Sequence, residues 1–338
     1  MKTQILNNDD KGIETAAHII KNGGLVAFPT ETVYGLGANA FDSNACLNIF
    51  KAKGRASDNP LIVHISDISQ LCDLCVDIPQ KALTLAQNFW GGPLTLIMKK
   101  SNKIPDAVTC NMDTVAIRLP SDKTAISLIN RAGVPIAAPS ANLSGSPSPV
   151  SSKHCIEDLT GRVDAILCGD DCECGVESTI LLMTSDTPVL LRPGFVTAEQ
   201  ITELIGEIKI DDAVLNPLQN DRQVLSPGLK YKHYSPKADV IIIDADRDKY
   251  IEYVNNNAKD GVLALCFEGD EELLHTKSIA YGKADDGATQ AHGLFSALRK
   301  ADELCAKTVY ARKPSECGVG LAVLNRLLRA AGFEQKKL

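Results

Sequence analysis

Apolar residues recur along this chain at two spacings, and their alternation outlines the fold. Ile13, Ala16, Ala17 and Ile20 stand at helical intervals behind Asp9 and Asp10, either of which can cap a helix. The continuous apolar run Leu25, Val26, Ala27, Phe28 then reads as a buried strand. Asp42 opens a second helix with Cys46, Ile49 and Phe50 on one face, running into Lys51 and Lys53. A strand over 61–65 and a helix over 79–90 follow, the helix stopped by Gly91-Gly92-Pro93. Strands are predicted at 94–98 and 114–119 and, after another helix, at 134–138. Beyond a Ser/Pro-rich loop over 140–152, three more are predicted at 165–168, 179–183 and 188–191. Several of these strands succeed one another with only turns between them, which predicts a twisted mixed sheet rather than a strictly doubly wound one.

The rhythm breaks over 211–237. The stretch NPLQNDRQVLSPGLKYKHYSPKA holds three prolines and no apolar period, and it is longer than an ordinary connection. A plain spacer would be rich in Gly and Ser or in charge. This one carries Lys230, Tyr231, Lys232, His233 and Tyr234, cations interleaved with rings, as a loop covering an anionic, ring-bearing ligand requires. The pattern then restarts with strands at 240–243, 262–266 and 308–310 and helices around 246–257, 289–305 and 320–331. The expected organisation is a catalytic α/β domain over 1–210, a linker or lid over 211–237 and a smaller Rossmann-like α/β domain over 238–338. Gly318-Val319-Gly320 resembles part of a dinucleotide fingerprint but follows no clear strand-to-ribose-acid pattern.

A length of 338 residues agrees with two domains. The apolar content of 44% and charged content of 23% are ordinary for globular chains. No apolar run approaches the ~20 residues that cross a bilayer, and the start, MKTQILNNDDKG, has no apolar core of a signal peptide. The cytoplasm is therefore the expected compartment, and the eleven cysteines are read as mostly reduced. Four of the five in Cys72-x-x-Cys75 and CGDDCECG could in principle hold zinc. However, Leu71 and Leu74 place the first pair in an amphipathic helix, and the second cluster lacks paired spacing, so no metal site is assigned. A net charge of −7 argues against a chain that mainly coats nucleic acid, though not against a local basic groove.

The candidate chemistry gathers at strand ends. Behind the Leu25 strand come Thr30, Glu31, Thr32 and Tyr34, closed by Gly35 and Gly37, where backbone can approach a ligand. Lys53 and Arg55 flank a Gly-containing turn and offer a point charge and a planar fork for phosphate or carboxylate. His64 ends another strand. Arg118 ends a third, within VAIRLP, where a buried guanidinium must find an anion. Ala138 to Asn142, Glu177-Ser178-Thr179 and Arg192-Pro193-Gly194 repeat the pattern. In open α/β sheets ligands collect where strand ends converge. Two arginines and a lysine there suggest phosphates plus a carboxylate, without a P-loop.

These motifs carry a resemblance over nearly the whole chain. PTETVYGLG, KGR followed by NPL, VAIRLP, APSAN-S-G and SPG-K-Y-K-HYSP resemble the Sua5/YrdC/YciO family, and the added second domain is similar to its long Sua5 form. The resemblance implies a YrdC-like first domain, a Sua5 second domain and a nucleotidyl transfer. L-threonine, bicarbonate and ATP would give threonylcarbamoyl-AMP and pyrophosphate, for the t6A modification of tRNA position 37. It places threonine on Thr32, His64, Arg118, the backbone at Ala138, and Ser178. ATP would lie on Lys53, Arg55, Asn59, Thr114, Ser140, Ser148, Arg192 and Tyr234, with Lys53, Arg55 and Arg192 at the phosphates. Mg2+ would be held by the phosphates, and the product would pass to a threonylcarbamoyl-transferase machinery, with at most a weak tRNA contact. Ala56-Ser57-Asp58 departs from the proline the family often has after KGR. The alternative is an RNA-binding module of the same fold without this turnover.

Overall fold

The computed structural model describes residues 2–57, 59–217 and 234–338. Eleven strands form the first sheet: β1 (Gln4–Leu6), β2 (Val26–Phe28), β3 (Gly35–Asn39), β4 (Ile62–His64), β5 (Leu94–Lys99), β6 (Thr114–Arg118), β7 (Ile136–Ala138), β8 (Ala165–Leu167), β9 (Thr179–Leu182), β10 (Val189–Arg192) and β11 (Lys209–Ile210). Their order is β1-β8-β2-β3-β7-β4-β6-β5-β9-β10-β11, with parallel and antiparallel neighbours mixed. The predicted helices form where their caps stand. Asp9 accepts from the Gly12 amide to open Asp10–Lys21, and Asp42 accepts from Asn44 and Ala45 to open Ser43–Lys53; such a cap is worth about 1 kcal/mol. Gly54, at φ 62°, ends the second helix in the left-handed region.

Two sequence expectations change. Gly35 and Gly37 lie within β3, antiparallel to β2, rather than in an open turn. A Cβ on Gly37 would meet Ile136 Cγ2 at 2.7 Å and Phe28 Cε1 at 2.8 Å, so this glycine serves core packing. The short strands β1 and β11 and the helices Ser152–Leu159 and Ala198–Ile205 were not legible as apolar periods.

The register aligns one row of residues across the sheet. Ile136 pairs His64, His64 pairs Arg118, Arg118 pairs Thr95, Thr95 pairs Ile180, and Ile180 pairs Arg192. The last step crosses a register shift between Leu190 and Arg192, a β-bulge that leaves Leu191 without its own partner.

The second domain is a wholly parallel sheet of β12 (Asp239–Asp244), β13 (Val262–Cys266), β14 (Lys277–Ala280), β15 (Thr308–Arg312) and β16 (Gln335–Lys337), ordered β14-β13-β15-β12-β16. Helices Gly287–Glu303 and Gly318–Ala331 pack with their starts in contact: a Cβ on Gly287 would meet the Gly320 amide at 2.7 Å. Close packing therefore accounts for Gly320, and a left-handed φ of 56° with open space around it for Gly318. The two domains share one hydrophobic cluster, from Leu25 and Leu96 through to Phe295 and Leu327. Arg299 crosses the boundary to Asp158 at 2.7 Å, and Ser235 joins both sides, its amide donating to Gly145 O and its hydroxyl to Ala330 O. Of the expected lid, Lys230, Tyr231, Lys232 and His233 lie outside the described residues.

Candidate active site

The aligned row and the loops above it enclose a cavity of about 40 Å3, lined among others by Thr30, Thr32, Arg55, His64, Arg118, Ala138, Ser140, Glu177, Ser178, Arg192 and Tyr234. One water takes ~10–15 Å3 by that measure, so a compact polar molecule fits and a nucleotide requires movement of the walls. Nine of the thirteen sequence-assigned residues meet here: Thr32, Arg55, His64, Arg118, Ala138, Ser140, Ser178, Arg192 and Tyr234.

The β6 side is an anion seat. Arg118 Nη1 donates to Thr32 Oγ1 at 2.8 Å, and Thr32 Oγ1 lies 2.8 Å from Thr30 Oγ1. Arg118 Nη2 lies 2.8 Å from Glu31 Oε1, but no N–H is directed at that oxygen, and Nε and Nη2 have no hydrogen-bond acceptor. The anion that sequence reasoning demanded for Arg118 is thus partly supplied by Glu31, which the sequence offered between Thr30 and Thr32 without naming its partner. His64 beside them is buried, its Nδ1 3.1 Å from Ile62 O and its ring edge-on to Phe28. Burial, and then the Arg118 charge, push its pKa down to about 3, so it is neutral near pH 7.

The β9–β10 side is cationic. Arg192 Nε donates to Ser178 O at 3.0 Å and Nη2 to Ser178 Oγ at 3.1 Å, while Ser178 Oγ lies 2.8 Å from Thr95 Oγ1. Burial lowers the Arg192 pKa to about 10, which leaves it charged. Arg55 Nη2 donates to Asn59 O at 3.0 Å, and its guanidinium stands 5.8 Å from the Phe50 ring centre. Tyr234, at φ 64°, is buried with its ring 5.2 Å from Phe295 of the second domain.

The other four assigned residues stand off the cavity. Lys53 is buried beneath the Ser140–Asn142 turn and donates to Ser140 O, to Asn142 O at 2.6 Å and to Asn142 Oδ1 at 3.3 Å. Burial, followed by the nearby Arg55 charge, holds its ammonium well below the usual lysine range. Asn59 is buried beside Arg55 with its Oδ1 unpartnered. Ser148 donates to Glu177 Oε1 at 2.5 Å. Thr114 begins β6, four residues from Arg118, or ~13 Å along the strand. Glu177, which the sequence placed at a polar strand end without a role, also lines the wall; burial alone would raise its pKa, but Arg326, Arg192 and Ser148 outweigh that and leave it lowered. Tyr34 packs, fastening the cysteine-rich loop through Gly169 O at 2.9 Å and Asp170 O at 3.2 Å. All eleven cysteines are free.

A mixed eleven-stranded sheet with one cavity wall seating an anion and the other carrying guanidinium groups defines a two-domain α/β protein built for a small anionic substrate beside a polyanionic one. Comparison with known proteins gives the family. Sua5_yciO_yrdC, described as "Telomere recombination", matches residues 18–194, and Sua5_C, "Threonylcarbamoyl-AMP synthase, C-terminal domain", matches residues 196–332. The chain belongs to the Sua5/YrdC/YciO family, in its two-domain form. It is 46% identical to the threonylcarbamoyl-AMP synthase of Bacillus subtilis, over 98% of this chain and 96% of that protein. It is 44% identical to that of Pyrococcus abyssi, over 95% and 94% respectively. The structure of P. abyssi Sua5 complexed with L-threonine superposes with a TM-score of 0.91 at 43% identity, covering 99% of this chain and 100% of that one. No helix among the described residues is long and apolar enough to cross a membrane.

Proposed function

We propose that this protein is an L-threonylcarbamoyladenylate synthase, converting L-threonine, bicarbonate and ATP into threonylcarbamoyl-AMP and pyrophosphate. The observation that carries this reading is Arg118, whose Nε and Nη2 are buried at the cavity without hydrogen-bond acceptors. Thr32, neutral His64 and Ser178 line the same space, with Arg55 and Arg192 across it. An α-carboxylate takes the Arg118 fork, and the Thr32 and Ser178 hydroxyls and the Ala138 backbone orient the rest of the amino acid. The threonine amine takes up CO2 or bicarbonate as a carbamate. A carbamate oxygen then attacks the α-phosphorus of ATP, and the bond to the pyrophosphate oxygen breaks. Such a transfer needs positioning and charge neutralisation rather than a side-chain nucleophile.

Arg55 and Arg192 supply neutralisation, while Lys53 acts on the phosphates through the Ser140–Asn142 turn that it holds. Asn59 stands behind Arg55, Ser148 behind Glu177, and Ser140 and Tyr234 at the nucleotide side; Thr114 enters only if the nucleotide extends along β6. Mg2+ would be held by the ATP phosphates themselves and would supply charge shielding there. The donors around the cavity are guanidinium, hydroxyl and carbonyl groups, and both Glu177 oxygens are engaged by Ser148 and Arg326, which suits a phosphate-held ion rather than a protein cage. The product passes in the cytoplasm to a threonylcarbamoyl transferase acting on tRNA, with at most weak contact to the tRNA itself. Pyrophosphate release is measured with and without threonine and bicarbonate. Release that needs both supports the reading, and release indifferent to threonine overturns it.

A further inference from the structure

We propose that Arg326, in the second domain, is a positioning residue for the ATP side of the site, so that this domain takes part in the reaction through it. The proposal rests on the reaction given above. Arg326 stands in helix Gly318–Ala331 and is wholly buried, the largest such side chain among the described residues. Its Nε donates to Glu177 Oε2 at 2.9 Å and its Nη2 to Glu177 O at 3.0 Å. Its Nη1 donates to Pro193 O and to Asn325 Oδ1, the latter at 3.2 Å.

The two carbonyls it joins flank the residues that matter. Glu177 precedes Ser178, Pro193 follows Arg192, and Arg192 and Ser178 are themselves bonded through Nε and Nη2. A rigid planar fork therefore fixes the end of β10 against the start of β9 from behind, at the point where the guanidinium of Arg192 is presented. Ser148 on the other Glu177 oxygen completes the brace, at 2.5 Å. Docking alone does not call for such a group. The domains already share an apolar cluster and the Arg299–Asp158 pair, and a buried ion pair is often matched in stability by apolar residues of similar size. What the guanidinium adds is geometry: three directed bonds, two to Glu177 and one to Pro193, that set the spacing of two strand ends.

The test compares R326K with R299Q, which weakens the same interface at Asp158 and Pro147 O but bonds neither Glu177 nor Pro193. Each purified full-length variant is followed by thermal melting, by threonine affinity in calorimetry without ATP, and by the KM for ATP in pyrophosphate release. The expected result is an ATP KM raised at least about tenfold in R326K with threonine affinity lowered no more than about threefold, because Ser178 alone of the threonine contacts adjoins the brace, whereas Thr32, His64 and Arg118 stand elsewhere. R299Q, with a comparable melting loss, keeps the parent's ATP KM. Equal ATP KM in the two variants overturns the proposal, since docking alone would then explain both. If R326K does not fold, E177Q/R326Q removes charge from both ends of the brace and is read the same way. A parent protein that releases no pyrophosphate in response to threonine refutes the reaction instead; ATP affinity in calorimetry then decides the role of Arg326 on its own.

Discussion

Arg118 and Glu31 touch at 2.8 Å inside the protein, yet no hydrogen bond is directed between them and neither Glu31 oxygen has a donor. The contact is one of charge without directed bonding, so an incoming carboxylate can take the guanidinium's donors while Glu31 keeps the charge compensated in its absence. Glu31→Gln removes that compensation and is expected to lower stability by about 3 kcal/mol. Saturating threonine should then raise the melting temperature of the variant more than that of the parent. A variant that melts like the parent without ligand would show that Glu31 does not stabilise the buried guanidinium.

Arg118→Lys retains the charge and loses the planar fork. The threonine KM should rise about 100-fold, the range measured when a buried charge pair loses a partner, with the ATP KM nearly unchanged. A parallel rise in both constants would separate Arg118 from the carboxylate and make it a general support of the cavity.

His64 carries a pH signature. Its folded pKa of about 3 lies below the unfolded value near 6.5, so below pH 6.5 the unfolded chain binds a proton that the native state refuses. Its contribution is therefore intact above pH 6.5 and lost as pH falls toward 3, amounting to about 2 kcal/mol by pH 5. Urea unfolding at pH 7.5 and pH 5 should show a smaller loss in His64→Gln than in the parent, by about that amount. Equal losses would mean that His64 is hydrated and titrates normally.

Lys53 is expected to act as a clasp on the Ser140–Asn142 turn. Lys53→Met leaves Ser140 O and Asn142 O without their buried donor, while Asn142 Oδ1 keeps that of Ser140 Oγ, and should cost about 3 kcal/mol of stability, together with a raised ATP KM. Unchanged urea stability with only the ATP KM affected would make Lys53 a direct phosphate ligand.

Gly194 follows the arginine of β10, and a Cβ there would meet the Thr179 amide at 2.3 Å and the Ser178 carbonyl carbon at 2.8 Å. These are backbone atoms that cannot swing aside. Gly194→Ala should cost about 3 kcal/mol and weaken both ATP and threonine, since Arg192 and Ser178 move first. Parent-like kinetics in a folded Gly194→Ala protein would show that this corner is compliant.

The strands and helices with clear apolar periods were legible in the sequence because burial writes itself as spacing: Ile13 to Ile20 marks a helix, Val26 to Phe28 a strand. Polar edge strands such as Gln335–Lys337 have no buried face to mark them. Site residues at strand ends were legible for a related reason, since a charged side chain after an apolar run must find a partner. Partner identity was not. Nothing in the spacing says that Arg326 reaches Glu177 across 149 positions, or that Lys53 turns to carbonyls rather than outward, because those choices are made by tertiary packing.

The bulge at Leu191 makes the position of Arg192 a matter of parity. Side chains along a strand alternate with period two, so the single unpartnered residue decides which layer the next one enters. With Leu191 opposite nothing, Arg192 falls opposite Ile180 and joins the row that runs through Arg118 and His64 to Ile136. Removing one residue there would leave β10 as long as most of its neighbours and as apolar, yet would aim the guanidinium at the other side of the sheet. Changes in length that a surface loop would absorb unnoticed are thus forbidden at this one place, where an odd count sets the direction of a charge.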